Sequence, residues 1–281
     1  IAYYNADGSL FMNKKKGYAR VKNDIVKGRN HATRYYDEHE QLTAGPEGWA
    51  YALYTYVPSS TVRNEMYYNA DGSLFYTKRG YCGVTKLPAT KNRVLEETYY
   101  VDEGVRGNCK EGYSKVVRTF AGNRNWIASE RYYDVNDQPM IVPDYGYAWY
   151  RNTYKTGKVA QIDYYDTENN PIIASAGYAT EKNTYDRKRL TEKLFLGTDQ
   201  KTPVNGKDGY AKTVYGYNKE GRVTSEAWFD SEGRAVATKE NATEIRSEWD
   251  GDKKISESYW ANGDPIDGEN GYHEVRMEYN G

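Results

Sequence analysis

Pairs of neighbouring aromatic residues recur along the sequence at intervals of 31 to 33 residues. Flat aromatic rings bind sugars by stacking on the apolar C–H faces, while polar groups at the rim form hydrogen bonds. One such contact contributes about 0.5 to 1.5 kcal/mol beyond area burial. Contacts by several equivalent rings on one polymer raise the avidity by roughly 10² to 10⁴. The pattern therefore predicts a multivalent binding surface. The pairs are Tyr3-Tyr4, Tyr35-Tyr36, Tyr67-Tyr68, Tyr99-Tyr100, Tyr132-Tyr133, Tyr164-Tyr165, Phe195-Leu196, Trp228-Phe229 and Tyr259-Trp260.

The first residue of each pair is the better candidate for binding. It is aromatic in all nine pairs, whereas the second residue is once Leu196, which suits a packing position. Neighbouring side chains of a strand point to opposite faces, so each pair places one ring on each face. The alternative for every one of these rings is a role in the packed core of the repeats. The predicted carbohydrate-binding residues are Tyr3, Tyr35, Tyr67, Tyr99, Tyr132, Tyr164, Trp228 and Tyr259.

A glycine followed by an aromatic residue provides a second mark in the same register. This Gly-aromatic step is absent only from the eighth repeat, where Asn241-Ala242 takes its place. Two marks in phase indicate one tandem-repeat domain over residues 1–281, with nine units of about 32 residues. The units start near positions 3, 35, 67, 99, 132, 164, 195, 228 and 259. Because the sequence begins and ends inside a repeat, we expect it to be a segment of a longer protein.

Turn signals and alternation predict the secondary structure. Asp71-Gly72 follows an aromatic pair and supplies the positive φ of a tight turn, and a second turn is predicted between Tyr217 and Arg222. The segment after Arg222 alternates in polarity as a strand does. These features predict an all-β fold with about two hairpins per unit. Since a short hairpin cannot bury its own apolar face, the units should stack into an elongated, solenoid-like array of tandem β-hairpins.

One stretch of the third repeat, with its near copy at Tyr3 to Leu10, resembles the cell-wall-binding and glucan-binding repeats of Gram-positive surface proteins. The stretch reads Tyr67-Tyr68-Asn69-Ala70-Asp71-Gly72-Ser73-Leu74. The resemblance implies a β-hairpin solenoid that binds glycan or cell-wall polymer on a bacterial cell surface or in a secreted protein. Clostridial toxin repeats that bind host glycans are similar in pattern. Tyr185-Asp186 and Gly221-Arg222 also resemble the YD repeats of large shell-forming proteins.

Charge and hydropathy exclude several other partners. The 39 Lys and Arg residues are balanced by 40 Asp and Glu residues, and both signs are interleaved, so we expect no nucleic-acid partner. No apolar run approaches the roughly 18 residues that span a bilayer, so we expect no membrane insertion.

The sequence also lacks the residue patterns of a catalytic or metal site. His31, His39 and His273 lie in separate repeats without the spacing of metal ligands, so no metal and no cofactor is predicted. Carboxylates such as Asp37 and Asp134 recur at equivalent positions, which indicates structure and not a unique catalytic centre. We therefore expect no enzymatic activity.

The two cysteines, Cys82 and Cys109, are too few for a disulfide framework. They occupy different positions of neighbouring repeats, which favours two unpaired thiols, with one disulfide bridge as the alternative.

Two function hypotheses follow. The first is a non-catalytic module that binds carbohydrate or cell-wall polymer through its recurring aromatic residues. The second is a non-catalytic scaffold, appended to a cell-envelope enzyme such as a glycosyltransferase, that contacts another protein or the remainder of its own chain. A sugar module should expose an aromatic ring in each unit, whereas a scaffold should show an exposed patch concentrated in a few units.

Overall fold

The computed structural model describes residues 1–90 and 93–279. The chain divides into two compact units, Ile1–Pro143 and Asp144–Gly281. Within each unit the strands form an antiparallel sheet whose long strands pair with their neighbours in chain order. Apart from the short 3₁₀ turn Lys239–Asn241, all regular elements of the described residues are strands. The prediction of an all-β series of tandem hairpins is confirmed.

The first unit contains nine strands and the second contains ten. Those of the first unit are β1 (Arg20–Val26), β2 (Arg29–Tyr36), β3 (Tyr51–Tyr56), β4 (Arg63–Tyr68), β5 (Gly83–Thr90), β6 (Arg93–Asp102), β7 (Val105–Arg106), β8 (Lys115–Phe120) and β9 (Ile127–Tyr133). Those of the second unit are β10 (Trp149–Lys155), β11 (Lys158–Tyr165), β12 (Thr180–Asp186), β13 (Arg189–Leu196), β14 (Lys212–Tyr217), β15 (Val223–Phe229), β16 (Glu244–Asp250), β17 (Lys253–Ala261), β18 (Asp264–Pro265) and β19 (Glu274–Arg276).

Each long hairpin ends in the aromatic pair that opens the next repeat. In the seventh repeat β14 pairs with β15 from Lys212 opposite Phe229 to Tyr217 opposite Val223. The predicted turn lies between them, and Gly221 has a φ of 89° there. Glycine adopts this left-handed conformation at low steric cost, so the turn forms where the sequence places it.

The turn after the aromatic pair forms a hairpin that is much shorter than the long hairpin of the repeat. In the third repeat the backbone N–H of Asn69 donates to the Ser73 carbonyl at 2.8 Å. Only one bridge follows, between Tyr68 and Leu74. The returning chain leaves the sheet because it crosses over the aromatic rings instead of extending the strand ladder. In the second repeat this crossing is so close that a Cβ on Gly45 would lie 2.3 Å from the Tyr35 ring.

The core of the first unit is a continuous row of aromatic rings, the ring ladder. First members of the pairs alternate in it with the rings of the Gly-aromatic steps, and adjacent ring centroids are 4.7 to 6.5 Å apart. Each inner ring therefore packs against one ring of its own repeat and one ring of a neighbouring repeat. In chain order the ladder comprises Tyr3, Tyr18, Tyr35, Trp49, Tyr67, Tyr81, Tyr99, Tyr113 and Tyr132.

A ring ladder of the same kind runs through the second unit. This row comprises five rings whose adjacent centroids are 4.0 to 6.0 Å apart, namely Tyr147, Tyr164, Tyr178, Phe195 and Tyr210. The eighth repeat interrupts it, because Ala242 replaces the aromatic residue of the Gly-aromatic step. The Lys239 ammonium instead lies 5.6 Å from the centre of the Trp228 ring.

The second residues of the pairs lie on the opposite face of the sheet, as the alternation of a strand predicts. Tyr68 stacks there on Tyr51, with ring centroids 4.7 Å apart, and Tyr165 stacks on Trp149 at 4.1 Å. Both faces of a thin sheet are thus covered mainly by aromatic rings.

Replacing Tyr99 by alanine tests the ring ladder. Tyr99 is fully buried between Tyr81 and Tyr113, so its removal should lower the free energy of unfolding by about 3 to 5 kcal/mol. Tyr4→Ala is the matched control, because Tyr4 is 59% exposed and its loss should cost less than about 0.5 kcal/mol. Urea unfolding followed by circular dichroism measures both values, and equal losses in the two variants would contradict the packing role of the ladder.

Candidate functional site

The structure places five of the eight predicted carbohydrate-binding rings in the core. The exposed fractions of Tyr67, Tyr99, Tyr132, Trp228 and Tyr259 lie between 0% and 7%. A ring with no exposed face cannot stack on a sugar. For these five residues the structure shows the packing role that the sequence left as the alternative.

The other three predicted rings are half-buried members of the same ladders. Tyr3 and Tyr35 flank Tyr18, and Tyr164 lies between Tyr147 and Tyr178 with centroid distances of 4.7 and 6.0 Å. Burial raises the pKa of the Tyr164 hydroxyl to about 12. A carbohydrate-binding role for these three residues stays a prediction.

A carboxylate two residues before the ladder tyrosine satisfies its hydroxyl. Residues i and i+2 of a strand share a face, so a Glu-x-Tyr sequence places both groups side by side. The Tyr67 hydroxyl donates to Glu65 at 2.6 Å, and the Tyr99 hydroxyl donates to Glu97 at 3.1 Å. Tyr132 and Tyr259 do the same with Glu130 and Glu257. The recurring Glu-x-Tyr spacing was the sequence signal for this network.

Cations on the same or a neighbouring strand neutralise these carboxylates. Glu65 is buried, and it accepts from Arg63 Nε at 3.0 Å and from Lys86 Nζ at 3.0 Å. Desolvation raises its pKa, but the Lys86 charge, the Tyr67 hydrogen bond and the Arg63 charge together outweigh that effect, and the pKa of Glu65 is lowered. Glu65 is therefore ionised at neutral pH although it is buried.

A second set of aromatic rings recurs at the far ends of the long hairpins, next to the turns. These residues, called the end rings below, are half-exposed, apart from Tyr279, which is exposed. The sequence signal was an aromatic residue directly before the second turn of a repeat. The end rings are Tyr56, Phe120, Tyr154, Tyr185, Tyr217, Trp249 and Tyr279.

Hydrogen bonds hold most end rings against the preceding hairpin of the chain. The Tyr56 hydroxyl donates to the Asn30 carbonyl at 2.9 Å, and the Tyr217 hydroxyl donates to the Leu190 carbonyl at 2.8 Å. Tyr185, Trp249 and Tyr279 make the equivalent bond to Val159, Val223 and Lys254. In all five cases the accepting residue lies at a register shift where the hairpin ladder is irregular.

A cation from the preceding hairpin lies over several of these end rings. The Arg29 guanidinium is 4.9 Å from the centre of the Tyr56 ring, and the Arg189 guanidinium is 5.8 Å from that of Tyr217. Lys253 lies 5.1 Å from the centre of the Tyr279 ring in the same way. A cation over an aromatic face is attracted by the ring quadrupole. The hairpin ends thus combine flat rings, hydrogen-bonding groups and positive charge.

Neighbouring hairpins separate near their ends, and a cleft opens between β3–β4 and β5–β6 in the first unit. It has a volume of about 470 Å³. Tyr56 forms part of its wall, together with the side chains of Arg29, Ser60 and Thr61. We call it the first-unit cleft. Its lining also includes Thr90 and the cations Arg63 and Lys86, and it offers both stacking and hydrogen bonding to a ligand.

The part of the chain that the structure describes contains neither a cluster of metal ligands nor a helix that could span a membrane. No three His, Cys, Asp or Glu side chains within it converge as a metal ion would require. Within the same residues, no helix has the length and apolar character needed to cross a membrane.

Both cysteines are unpaired, as the sequence favours. Each is buried, and desolvation raises the pKa of the Cys109 thiol to about 11. The thiol of Cys109 is therefore neutral at physiological pH, which suits a packing residue better than a reactive one.

Comparison with known proteins assigns no family. No protein-family model matches the sequence, and no curated protein matches it. Among solved structures, the chain is similar to the crystal structure of TcdB2-TccC3 without its hypervariable C-terminal region, with 15% identity and a TM-score of 0.26. The match covers 91% of this chain but only 16% of that one. At this TM-score the likeness establishes neither fold nor function, and the resemblance to cell-wall-binding repeats stays a prediction.

The variant Glu65→Gln tests the buried charge network. It leaves Arg63 and Lys86 without their carboxylate, so it should lower the free energy of unfolding at pH 7 by about 1 to 3 kcal/mol. Because the pKa of Glu65 is lower in the folded chain, its stabilising effect is complete above the unfolded pKa of about 4.3. The effect is lost as the pH falls through the folded pKa.

The stability difference between wild type and Glu65→Gln should therefore be constant from pH 8 to about pH 5 and shrink in more acidic solution. Urea unfolding at a series of pH values measures it. Glu38→Gln is a suitable control, since Glu38 is exposed in a turn. A difference that persists unchanged at the lowest pH would show that the charge of Glu65 does not stabilise the fold.

Proposed function

We propose that the chain is a non-catalytic module that binds a carbohydrate or cell-wall polymer through the end rings of its hairpins. One observation carries the proposal: a half-exposed aromatic ring with polar surroundings recurs at the hairpin ends of both units. A sugar-binding repeat needs such an exposed ring in most of its units. The ring ladder does not offer it, since most of its rings are buried.

The first-unit cleft illustrates the chemistry. A pyranose ring placed on Tyr56 would gain dispersion contacts and C–H stacking on the aromatic face. Ser60 and Thr61 lie beside it and can accept or donate hydrogen bonds to sugar hydroxyls, and the Arg29 guanidinium can donate. Because Tyr56 is anchored to the Asn30 carbonyl, its ring is held in place before the ligand arrives, which reduces the entropic cost of binding.

Repetition supports a polymer as the ligand in preference to a single sugar. The end rings follow the repeat period, so a polymer that lies across several hairpins of one unit would contact one ring after another. Each contact is weak, but linked contacts raise the overall affinity by effective concentration. A cell-wall polymer has the length for this, and such a module belongs to a bacterial surface or secreted protein.

A protein scaffold is the second candidate, and a different observation favours it. Exposed apolar side chains recur nine positions after some aromatic pairs, at Tyr76 and Ile141 in the first unit and at Ile173 in the second. Their exposed fractions are 51%, 41% and 43%. If neighbouring side chains of this kind form one patch within a unit, that patch is the surface on which a partner protein would bind.

A glycan array with bacterial wall polymers and α- and β-glucans tests the proposal. Tyr56→Ala removes an end ring from the first unit, and Tyr217→Ala removes one from the second. Binding of each variant to the polymer ligand should fall roughly tenfold, because the loss of a ring contact also lowers the avidity. Tyr56→Phe and Tyr217→Phe keep the rings and lose only the hydroxyls, so these variants should retain most of the binding.

Thermal melting of every variant separates loss of binding from loss of folding. Tyr67→Ala serves as a further control, because it should unfold the repeat and lose binding for that reason. Absence of binding to any glycan, or equal binding by wild type and the alanine variants at unchanged melting temperature, would reject the carbohydrate proposal. The scaffold would then be the better explanation.

A further inference from the structure

The second unit contains a cleft that differs in charge from the first-unit cleft. Hairpins β10–β11 and β12–β13 pair with each other only over three residues, from Gln161 opposite Lys182 to Asp163 opposite Thr180. Towards their turns the hairpins separate and leave a cleft of about 420 Å³. Lys155, Lys182 and Arg187 line it. We call it the cationic cleft.

The three cations of this cleft have no carboxylate partner. No Asp or Glu side chain lies within 4.0 Å of the charged groups of Lys155, Lys182 or Arg187, and the cleft lining contains no acidic residue. The acidic residues nearest to the cleft cations along the same hairpin are Glu181, next to Lys182, Asp186, next to Arg187 in the turn, and Glu192, opposite Thr184. Glu181 pairs with Lys193 instead. Of the other two, neither forms an ion pair with the cleft.

The first-unit cleft shows what a neutralised version of this arrangement looks like. Two of its lining cations, Arg63 and Lys86, both bind the buried carboxylate of Glu65. The repeat position of Glu65 is Ile162 in this hairpin, so the lining of the cationic cleft lacks that carboxylate. The buried Asp163 beside it pairs with Arg151 and accepts from Gln161. The net charge of −1 for the whole chain therefore conceals a local excess of positive charge.

From this geometry we infer that the cationic cleft binds an anionic group of the polymer, a phosphate or a carboxylate. Three like charges that converge on one cleft repel each other, and an anion between them removes that repulsion while it gains three attractive contacts. Arginine and lysine are the side chains that bind phosphate and carboxylate groups, and threonine hydroxyls and the Gln161 amide add neutral donors. The inference rests on the proposed polymer binding and names the class of polymer: one that carries negative charge.

Isothermal titration of the whole chain at low ionic strength tests this inference. The probes are inorganic tripolyphosphate, an oligogalacturonate and a neutral maltooligosaccharide, which separate phosphate, carboxylate and uncharged sugar. Wild type should bind at least one of the two anionic probes, and the affinity should fall as salt is added because the charges are screened. The preferred anion identifies phosphate or carboxylate as the polymer's charged group.

Two variants that each remove one positive charge provide the matched comparison. Lys182→Gln acts in the cleft, whereas Lys193→Gln acts on the neighbouring strand β13, where Lys193 already pairs with Glu181 at 3.5 Å. Lys182→Gln should weaken anion binding roughly tenfold, and Lys193→Gln should change it less than about twofold. Arg187→Gln provides a second, independent variant in the turn, and melting temperatures confirm that each variant is folded.

Failure of this inference and failure of the proposed function have different signatures. If wild type binds neither anion, or if Lys182→Gln and Lys193→Gln weaken binding equally, the cationic cleft is not an anion site. Either result leaves the proposal of carbohydrate binding by the end rings unaffected. The opposite outcome is anion binding that depends on Lys182, together with glycan binding that does not depend on Tyr56 and Tyr217. It would support anion binding by the cationic cleft and reject carbohydrate binding by the end rings.

Discussion

Contacts between aromatic rings of adjacent repeats are the interaction on which the rest of the structure depends. A two-stranded hairpin is at best marginally stable alone, because it buries too little surface. Here each hairpin places its first pair residue between the rings of two Gly-aromatic steps, as Tyr99 lies between Tyr81 and Tyr113. Stability therefore arises at the interfaces between repeats, and each repeat is stabilised by its neighbours along the chain.

Because the ladder consists mainly of tyrosines, it determines where charged side chains lie beside it. A buried tyrosine hydroxyl needs a hydrogen-bond partner, whereas a buried phenylalanine ring needs none. The chain contains 31 tyrosines but only 5 phenylalanines. Glutamates two residues away accept from several of the hydroxyls, as Glu65 does from Tyr67. These buried carboxylates in turn require cations, such as Arg118, which bridges Glu97 and Glu130. One packing requirement thus produces a network of ion pairs along the sheet.

The hairpins have different roles at their two ends. Near the aromatic pairs the strands are packed, covered by the returning loops and occupied by the ring ladder. Near the turns neighbouring hairpins part, because they pair over only a few residues, and this separation exposes rings, carbonyls and cations. The first-unit cleft and the cationic cleft both lie at such separations. Ligand binding at the hairpin ends is therefore compatible with a rigid core, since the two functions use different residues.

Much of the fold followed from the sequence alone. The spacing of the aromatic pairs and the Gly-aromatic steps determined the number and phase of the repeats, and turn signals such as Gly221 located the long hairpins. These features are local, because a turn or an alternating strand depends on residues that are neighbours in the chain. The length of the hairpin after each aromatic pair did not follow from the sequence, since in the third repeat the segment after Gly72 crosses the rings and forms one bridge only.

Which rings are buried was decided by the tertiary structure. The first residues of the pairs are aromatic in nine repeats and the end rings recur in seven, so aromatic character and spacing do not by themselves show which rings are buried. Their exposure depends on which segment packs over them: a returning loop with Gly45 covers Tyr35, whereas no such loop lies at the hairpin ends. The charge of each cleft is likewise a tertiary property, because Lys86 reaches the carboxylate of Glu65, which Arg63 of the same strand also binds, only through the pairing of β4 with β5. The sequence by itself thus determined the repeats and their all-β character, and only the packing of one repeat on the next decided which of their residues face a ligand.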